Sequence, residues 1–523
     1  MNKHWIAAAI WLCFLVRALF YASALPMWEG FDEYSHFAVI QHIAFHRDLP
    51  DHRTANGSRQ VAESLKLLPA PWLPHVDEKR ISYEEFRTLP VEERERRAAR
   101  LRSMPAAWAR EPADPPLGLW EAQQPPLFYW IAAPFYWAIR DLCLPAQVWI
   151  LRCLAALIAS AAIPLTVMTG RALGNPGLGL GAALVITAMP ELMITAARIS
   201  NECLALATGG LAIWLGVRAL GGRHLAWFGV AAGLALLTKA YFLALIPWML
   251  WICWKKRAVS PIIVCAAIAG WWYAHTWLAT GTITGEEREV AVRAGTTISL
   301  LGAVRLTPWM HVADLVAVSY VWLGGWSFLV VRSWMYRVVE LAIAVAAARL
   351  LWQRRLFGLA LPVGLLAIGL AYHATTGVRT YAGAGTLGYY FYAFAAAEGI
   401  LLVAGWGRFW RILVPMFVLL EGFALWFVQL PYYAGLLAHT ARGGLPALRL
   451  AQLRHGGLHT LLENLAADKP FGVAGMAAIT LLFFCVTAGL LAITFRRSAL
   501  SARKSKDGTS PAWLAAADPS ASR

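Results

Sequence analysis

The stretch Glu29-Gly30-Phe31-Asp32-Glu33-Tyr34-Ser35-His36 follows the first apolar run of the chain and sets two adjacent carboxylates and a histidine at its end. Ionisable groups at a bilayer segment are costly and are kept where they work. The motif therefore reads as the exit of a membrane helix and a place for chemistry at the lipid–water boundary. If 29–37 continues helically, Asp32 and His36 share a face at i,i+4, Glu29 sits one turn before Asp32, and Glu33 points elsewhere. One carboxylate then faces a cavity while its neighbour holds local structure. A plainer reading has Asp32-Glu33 capping a helix start, where carboxylates satisfy free N–H groups.

Outward from this motif the chain is apolar. Of 523 residues, 59% are hydrophobic and 15% charged, and the mean hydropathy is +0.54. The apolar residues come in long blocks, which describes an all-α integral membrane protein and excludes an ordinary soluble domain. The 26 tryptophans suit the headgroup zone. A net charge of +16 would raise nucleic acid as a partner for a soluble chain; here membrane topology accounts for it, and no nucleic-acid motif is present. The seven cysteines form no CxxC pair, so neither a disulfide framework nor a zinc site is indicated. No His/Asp/Glu cluster has metal-ligand spacing either.

A crossing needs about 20 apolar residues, which gives about twelve transmembrane helices: 5–25, 146–170, 177–197, 203–219, 225–238, 240–254, 259–279, 334–351, 356–374, 387–405, 411–430 and 474–495. The chain divides into a retained first helix (1–25), a long first extracytoplasmic loop (26–145), a bundle (146–495) with outer loops at 280–333 and 431–473, and a disordered basic tail (496–523). Short turns holding Arg171, Arg218, Arg223, Lys255, Lys256, Arg257, Arg349, Arg354, Arg355, Arg408 and Arg411 face the cytoplasm by the positive-inside rule, as do both termini. The active site then belongs outside. The run 125–142, aromatic and interrupted by Pro134, reads as an interfacial helix. Residues 82–104 read as a solvated helix with i,i+4 ion pairs, or as a contact for anionic headgroups. Asn56-Gly57-Ser58 matches a glycan sequon. Neither an internal repeat nor a broken helix is expected.

Further polar groups punctuate the outer ends. Glu121-Ala122-Gln123-Gln124-Pro125-Pro126-Leu127-Phe128-Tyr129 is polar loop running into a helix start. Arg198 and Glu202 stand at i,i+4 and can pair. Lys239, at the turn of an apolar hairpin, either snorkels or holds a lipid phosphate. Arg379 lies among His373, Tyr381, Tyr389 and Tyr390, where a guanidinium either pairs with phosphate or anchors the interface. Glu340, Glu398 and Glu421 fall inside spans and are read as bundle-interior hydrogen-bonding groups.

Taken in order, these elements resemble the GT-C superfamily of polyprenyl-phosphate-dependent glycosyltransferases, which includes protein O-mannosyltransferases and aminoarabinose lipid A transferases. The resemblance runs over most of the chain and is sharpest at Asp32-Glu33, at Gln124 to Tyr129, at Arg152, and at Pro190 to Glu202. It implies a GT-C-like fold with Asp32 as general base, Glu33 as the neighbouring acid, and Glu202 where many members place a second carboxylate, often Asp. It puts Lys239 and Arg379 where members hold the donor phosphate, and makes His36, Glu121, Gln124, Arg198 and Tyr389 substrate-binding candidates. The implied reaction is inverting transfer of a sugar from a polyprenyl-phosphate donor to a hydroxyl of an envelope glycan, lipid or protein, outside the cell membrane. Some members use a divalent metal and others none. The alternative is an envelope lipid or glycan transporter or flippase without catalysis, which would carry a midplane site, duplicated halves and broken helices. A scaffold in envelope assembly is the third reading.

Overall fold

The computed structural model describes residues 3–51, 53–69, 81–285, 298–353, 356–379, 385–440, 444–452 and 456–496. Arg354, Arg355, Tyr381 and the tail beyond Arg496 lie outside the described residues. Among those described the chain is helical throughout, without a strand, and with isolated bridges at Asn56–Gly118, Ser58–Pro112 and Gly324–Leu329.

Helix α1 (Lys3–Ala24) is an unbroken run free of Gly and Pro, and it stops just before Pro26, which cannot continue it. Five helices follow in the first loop: α2 (Glu33–His46), α3 (Arg59–Leu67), α4 (Tyr83–Thr88), α5 (Val91–Arg102) and α6 (Leu127–Ile139). The bundle begins with α7 (Leu144–Ala159), α8 (Ala162–Ala172), α9 (Pro176–Ala188), α10 (Pro190–Ala197) and α11 (Glu202–Leu220). Among the described residues, seven helical runs are long and apolar enough to cross a membrane: Lys3–Ala24, Leu144–Ala172, Glu202–Leu220, Ser260–Thr280, Phe357–Arg379, Gly388–Tyr433 and Val473–Arg496.

That is fewer than the expected twelve, for identifiable reasons. The span 177–197 is the pair α9 and α10, bent by 75°. Met189 precedes Pro190, and the proline ring drives it out of the helical region to ψ 119. A broken helix is therefore present where none was expected. The span 225–238 becomes Leu225–Leu236, of 12 residues, or about 18 Å, too short to cross alone; the span 240–254 becomes the 3-10 turn Ala240–Ala244 running into the α-helix Leu245–Lys256, which ends on two lysines. Ser333–Gln353 is long enough, but Arg337, Glu340 and Arg349 make it too polar by composition. The expected spans 387–405 and 411–430 sit in one 46-residue run, Gly388–Tyr433, long enough for two crossings and broken at Gly407, whose φ of 57 and ψ of −124 suit only glycine.

Buried polar contacts tie the two ends of the chain together. Arg17 of α1 donates to Glu421 at 2.6 Å and to Thr487 at 2.7 Å, and Tyr21 donates to Glu421 at 2.9 Å, so Glu421 does serve the bundle interior. Glu398 accepts from Tyr320 at 3.3 Å. Glu340 does not follow the expectation: it pairs at 2.6 Å with the exposed Arg337.

The first loop is held from behind by the chain's late residues. Arg87 of α4 donates to the Tyr433 carbonyl and to Asn464, Arg102 of α5 donates to the Ala467 carbonyl, and Asp468 accepts from the Met27 amide at 2.9 Å. The solvated-helix reading of 82–104 therefore fits only one face of α5, where Arg97 pairs with Glu93 at i,i+4, while Leu101 is buried and Arg102 is docked. Helix α6 buries Phe128, Tyr129 and Tyr136 and exposes Trp130, Phe135 and Trp137. The sequon does not fit glycan attachment: Asn56 donates its amide to the Ala113 carbonyl at 2.7 Å and accepts from the Leu117 amide at 2.7 Å.

Candidate functional site

Residues 29–37 do not continue α1. An irregular segment separates the two helices, and Asp32 stands at the N-cap of α2 with φ 56 and ψ 14, in the left-handed region. Its carbonyl accepts from the His36 amide at 2.9 Å, yet its side chain makes no capping bond, which sets aside the capping reading. A non-glycine residue held there is strained, and such strain persists where surrounding structure enforces it. From Met27 to Gln41, Asp32 is the one residue that is not buried. Asp32 is thus partly exposed within an otherwise buried stretch, close enough to Arg198 and Lys239 to feel their charge.

The neighbouring carboxylate is committed elsewhere. Arg152, from α7, donates to both oxygens of Glu33 at 2.7 and 2.6 Å, and also to the carbonyls of Ala22, Leu25 and Pro26. Glu33 accepts as well from the Ile199 amide at 3.0 Å. Both side chains are buried. Glu29, expected one turn before Asp32 on its face, instead accepts from the Ser327 amide at 2.7 Å and from the Tyr433 hydroxyl at 3.0 Å.

Two cations act on the Asp32 carboxylate. Arg198 does not pair with Glu202. Its guanidinium lies 4.4 Å over the Tyr389 ring and 5.6 Å over Phe31, and its Nε and Nη1 are buried without a hydrogen-bond partner among the described residues. Gly30 lets the motif lie this close, since a Cβ there would sit 2.9 Å from that of Arg198. Lys239 does not snorkel. It donates to Glu202 at 2.6 Å and to Asn201 at 3.0 Å, and Tyr241 donates to the other Glu202 oxygen at 2.7 Å. Glu202 thus anchors a lysine and a tyrosine.

Opposite stands a histidine cluster. His36 Nδ1 lies 2.9 Å from the Tyr129 hydroxyl, which donates to the Glu121 carbonyl at 3.2 Å, and His36 Nε2 lies 3.6 Å from a Glu121 carboxylate oxygen. Gln124 ends this loop half-buried. Tyr389 stacks on Phe31, with centroids 5.7 Å apart, and meets Tyr390 edge-on at 4.7 Å. Arg379 is not brought into the group: it donates to the Ile298 carbonyl at 3.2 Å and forms no ion pair with the cluster among the described residues.

The electrostatics follow from this packing. Burial pushes the Asp32 carboxyl above its ordinary value, and Arg198 and Lys239 pull it back down. Burial, then Lys239 and Arg198, hold His36 well below the usual histidine range, so it is neutral near pH 7. No group of three or more His, Cys, Asp or Glu among the described residues could hold a metal ion.

No family model matches this chain, and no curated protein does. Among solved structures it is similar to ArnT from Cupriavidus metallidurans, crystallised bound to undecaprenyl phosphate. That match has 13% identity over 96% of this chain and 80% of that chain, with a TM-score of 0.48. So loose a likeness assigns nothing.

Sequence reasoning singled out Asp32, His36, Glu121, Arg198, Glu202, Lys239 and Tyr389, which the structure links to one another by contact or by charge. It gave no role to Tyr129, Tyr241 or Asn201, whose side chains complete the hydrogen bonding. Arg152 had a signal of its own, a lone guanidinium inside an apolar span.

Proposed function

We propose that this protein transfers a sugar from a polyprenyl-phosphate donor to an acceptor hydroxyl, on the membrane face opposite the arginine-rich turns. The observation that carries this reading is Asp32: a partly exposed carboxylate on a left-handed backbone, under the field of Lys239 and of Arg198, which itself lies over Tyr389. The Asp32 carboxylate takes the acceptor O–H proton as the oxygen attacks the anomeric carbon. The bond from that carbon to the phosphate oxygen breaks, its electron pair leaves with the phosphate, and the configuration inverts. Charge developing on the leaving phosphate needs fixed cations nearby. Arg198 suits this best because its Nε and Nη1 make no hydrogen bond among the described residues, while Lys239 shares its charge with Glu202. Arg379 enters only if the donor phosphate extends towards Ile298.

The test is transfer by purified protein from a panel of radiolabelled polyprenyl-phosphate sugars. Asp32→Asn should lose about 10²–10⁴ in rate while still folding and inserting; full transfer by that variant would remove the proposed base. The α9/α10 break favours a second reading, a transporter of such lipids, because discontinuous helices often line transport sites. Donor movement across vesicles without product formation would favour it.

A further inference from the structure

We infer that Glu33 is a positioning residue whose carboxylate holds the Asp32 turn and the Arg198 turn at one fixed separation, with Arg152 as the arm that aims it. This rests on the transferase reading of the same site.

Three features lead there. First, Glu33 has no capacity left for proton transfer to a substrate: it is 0% exposed, Arg152 occupies both oxygens, and Oε1 also accepts from Ile199. Second, its two kinds of partner lie on different elements. Arg152 comes from α7, whereas the Ile199 amide belongs to the residue following Arg198. One carboxylate therefore bridges the residue after the proposed base and the residue after the uncommitted cation. Third, Arg152 spends its remaining donors on the carbonyls of Ala22, Leu25 and Pro26, the last turn of α1 and the start of the irregular segment. That fixes where the chain turns into the left-handed Asp32. A bidentate guanidinium–carboxylate pair sets angle as well as distance. A side chain of another length or charge in place of Glu33 would let the two turns drift, and a misplacement of about 1 Å at a reacting centre costs about 10²-fold in rate.

The experiment compares Glu33→Gln, Glu33→Asp and Arg152→Lys in full-length protein, after confirming transfer by the wild type. Glu33→Gln keeps an acceptor for Ile199 but loses the charge and the second acceptor. It should lower kcat about 10²-fold, leave the donor KM within about twofold, and keep the acid limb of the pH–rate profile, which belongs to Asp32. Glu33→Asp keeps the charge but cannot span both partners, and should be no better. Loss of the acid limb in Glu33→Gln would make Glu33 itself the base or acid and overturn the proposal. A wild-type kcat in Glu33→Gln would overturn it too, leaving a pair that serves folding alone.

Hydrogen–deuterium exchange reads the bridge without any chemistry. Peptides covering 27–34 and 196–202 should open together in Glu33→Gln; opening of 27–34 alone would show no link between the turns. If the wild type transfers nothing, the transferase reading falls, and the exchange result alone then decides whether the bridge exists.

Discussion

Asp32 is a weak base by nature that burial makes somewhat stronger, and two cations limit how far this goes. Removing one cation has a calculable direction. Lys239→Met takes away a positive charge and leaves Glu202 uncompensated, and both changes raise the Asp32 pKa. The acid limb of transfer should therefore move to higher pH, and an unmoved limb would show that Lys239 does not act on Asp32. Motif reading located Asp32 because an aspartate at the end of an apolar run is rare and costly. It missed the left-handed backbone, because that conformation is imposed from outside, by Arg152 gripping three carbonyls upstream. For the same reason Glu33 looked like a second acid: its partner lies 119 positions away. Replacing Arg152 with Met should cost about 3–5 kcal/mol by stranding a buried carboxylate, measurable as a large fall in thermal midpoint in detergent.

Many of the helices long enough to cross were readable from hydrophobic length, and so was the loop helix that carries Tyr129; the 3-10 turn that carries Glu121 was not. Short apolar runs were not, because hydrophobicity alone does not distinguish a crossing from a helix that turns back. Leu225–Leu236 and the short 3-10 turn Ala240–Ala244 show this, with Lys239 held between them by Glu202. The turn Gly388–Phe394 makes the same point. It brings Tyr389 to Arg198 and Tyr390 to Lys239 because Gly388 lies against its neighbours: a Cβ there would fall 2.0 Å from the Val316 carbonyl oxygen and 2.7 Å from the Tyr320 amide nitrogen. Gly388→Ala must push the turn away. It should destabilise the protein by about 1–3 kcal/mol and weaken donor binding through loss of the Tyr389 contact with Arg198; an unchanged donor affinity would separate the turn from the site.

The assembled molecule makes its own predictions. A cysteine placed at the exposed Arg53, in a Cys143→Ser, Cys485→Ser background, should react with an impermeant maleimide added outside intact cells; reaction only after lysis would place the first loop in the cytoplasm. Glu29 joins the first loop to the 325–327 turn and to Tyr433, and burial raises its carboxyl to about 7 from 4.5. The folded chain thus holds this proton more tightly than the unfolded one. The stability it contributes is full below about pH 4.5 and is lost as pH rises through about 7. Glu29→Gln, neutral throughout, should gain on the wild type in thermal midpoint between pH 5 and pH 8; a constant difference would refute the assignment.

The grip of late residues on early ones also governs biogenesis. Chains enter the membrane from the N-terminus, and domains usually fold in the order they are made. Here the Met27 amide waits for Asp468, 441 residues downstream, and Arg87 waits for Asn464. Throughout synthesis the carboxylate-bearing loop is made but unclamped. A nascent chain arrested before the closing helix would present its unburied acids to quality-control proteases, so truncation near the C-terminus should remove the whole protein from the membrane rather than yield a shorter, partly working one.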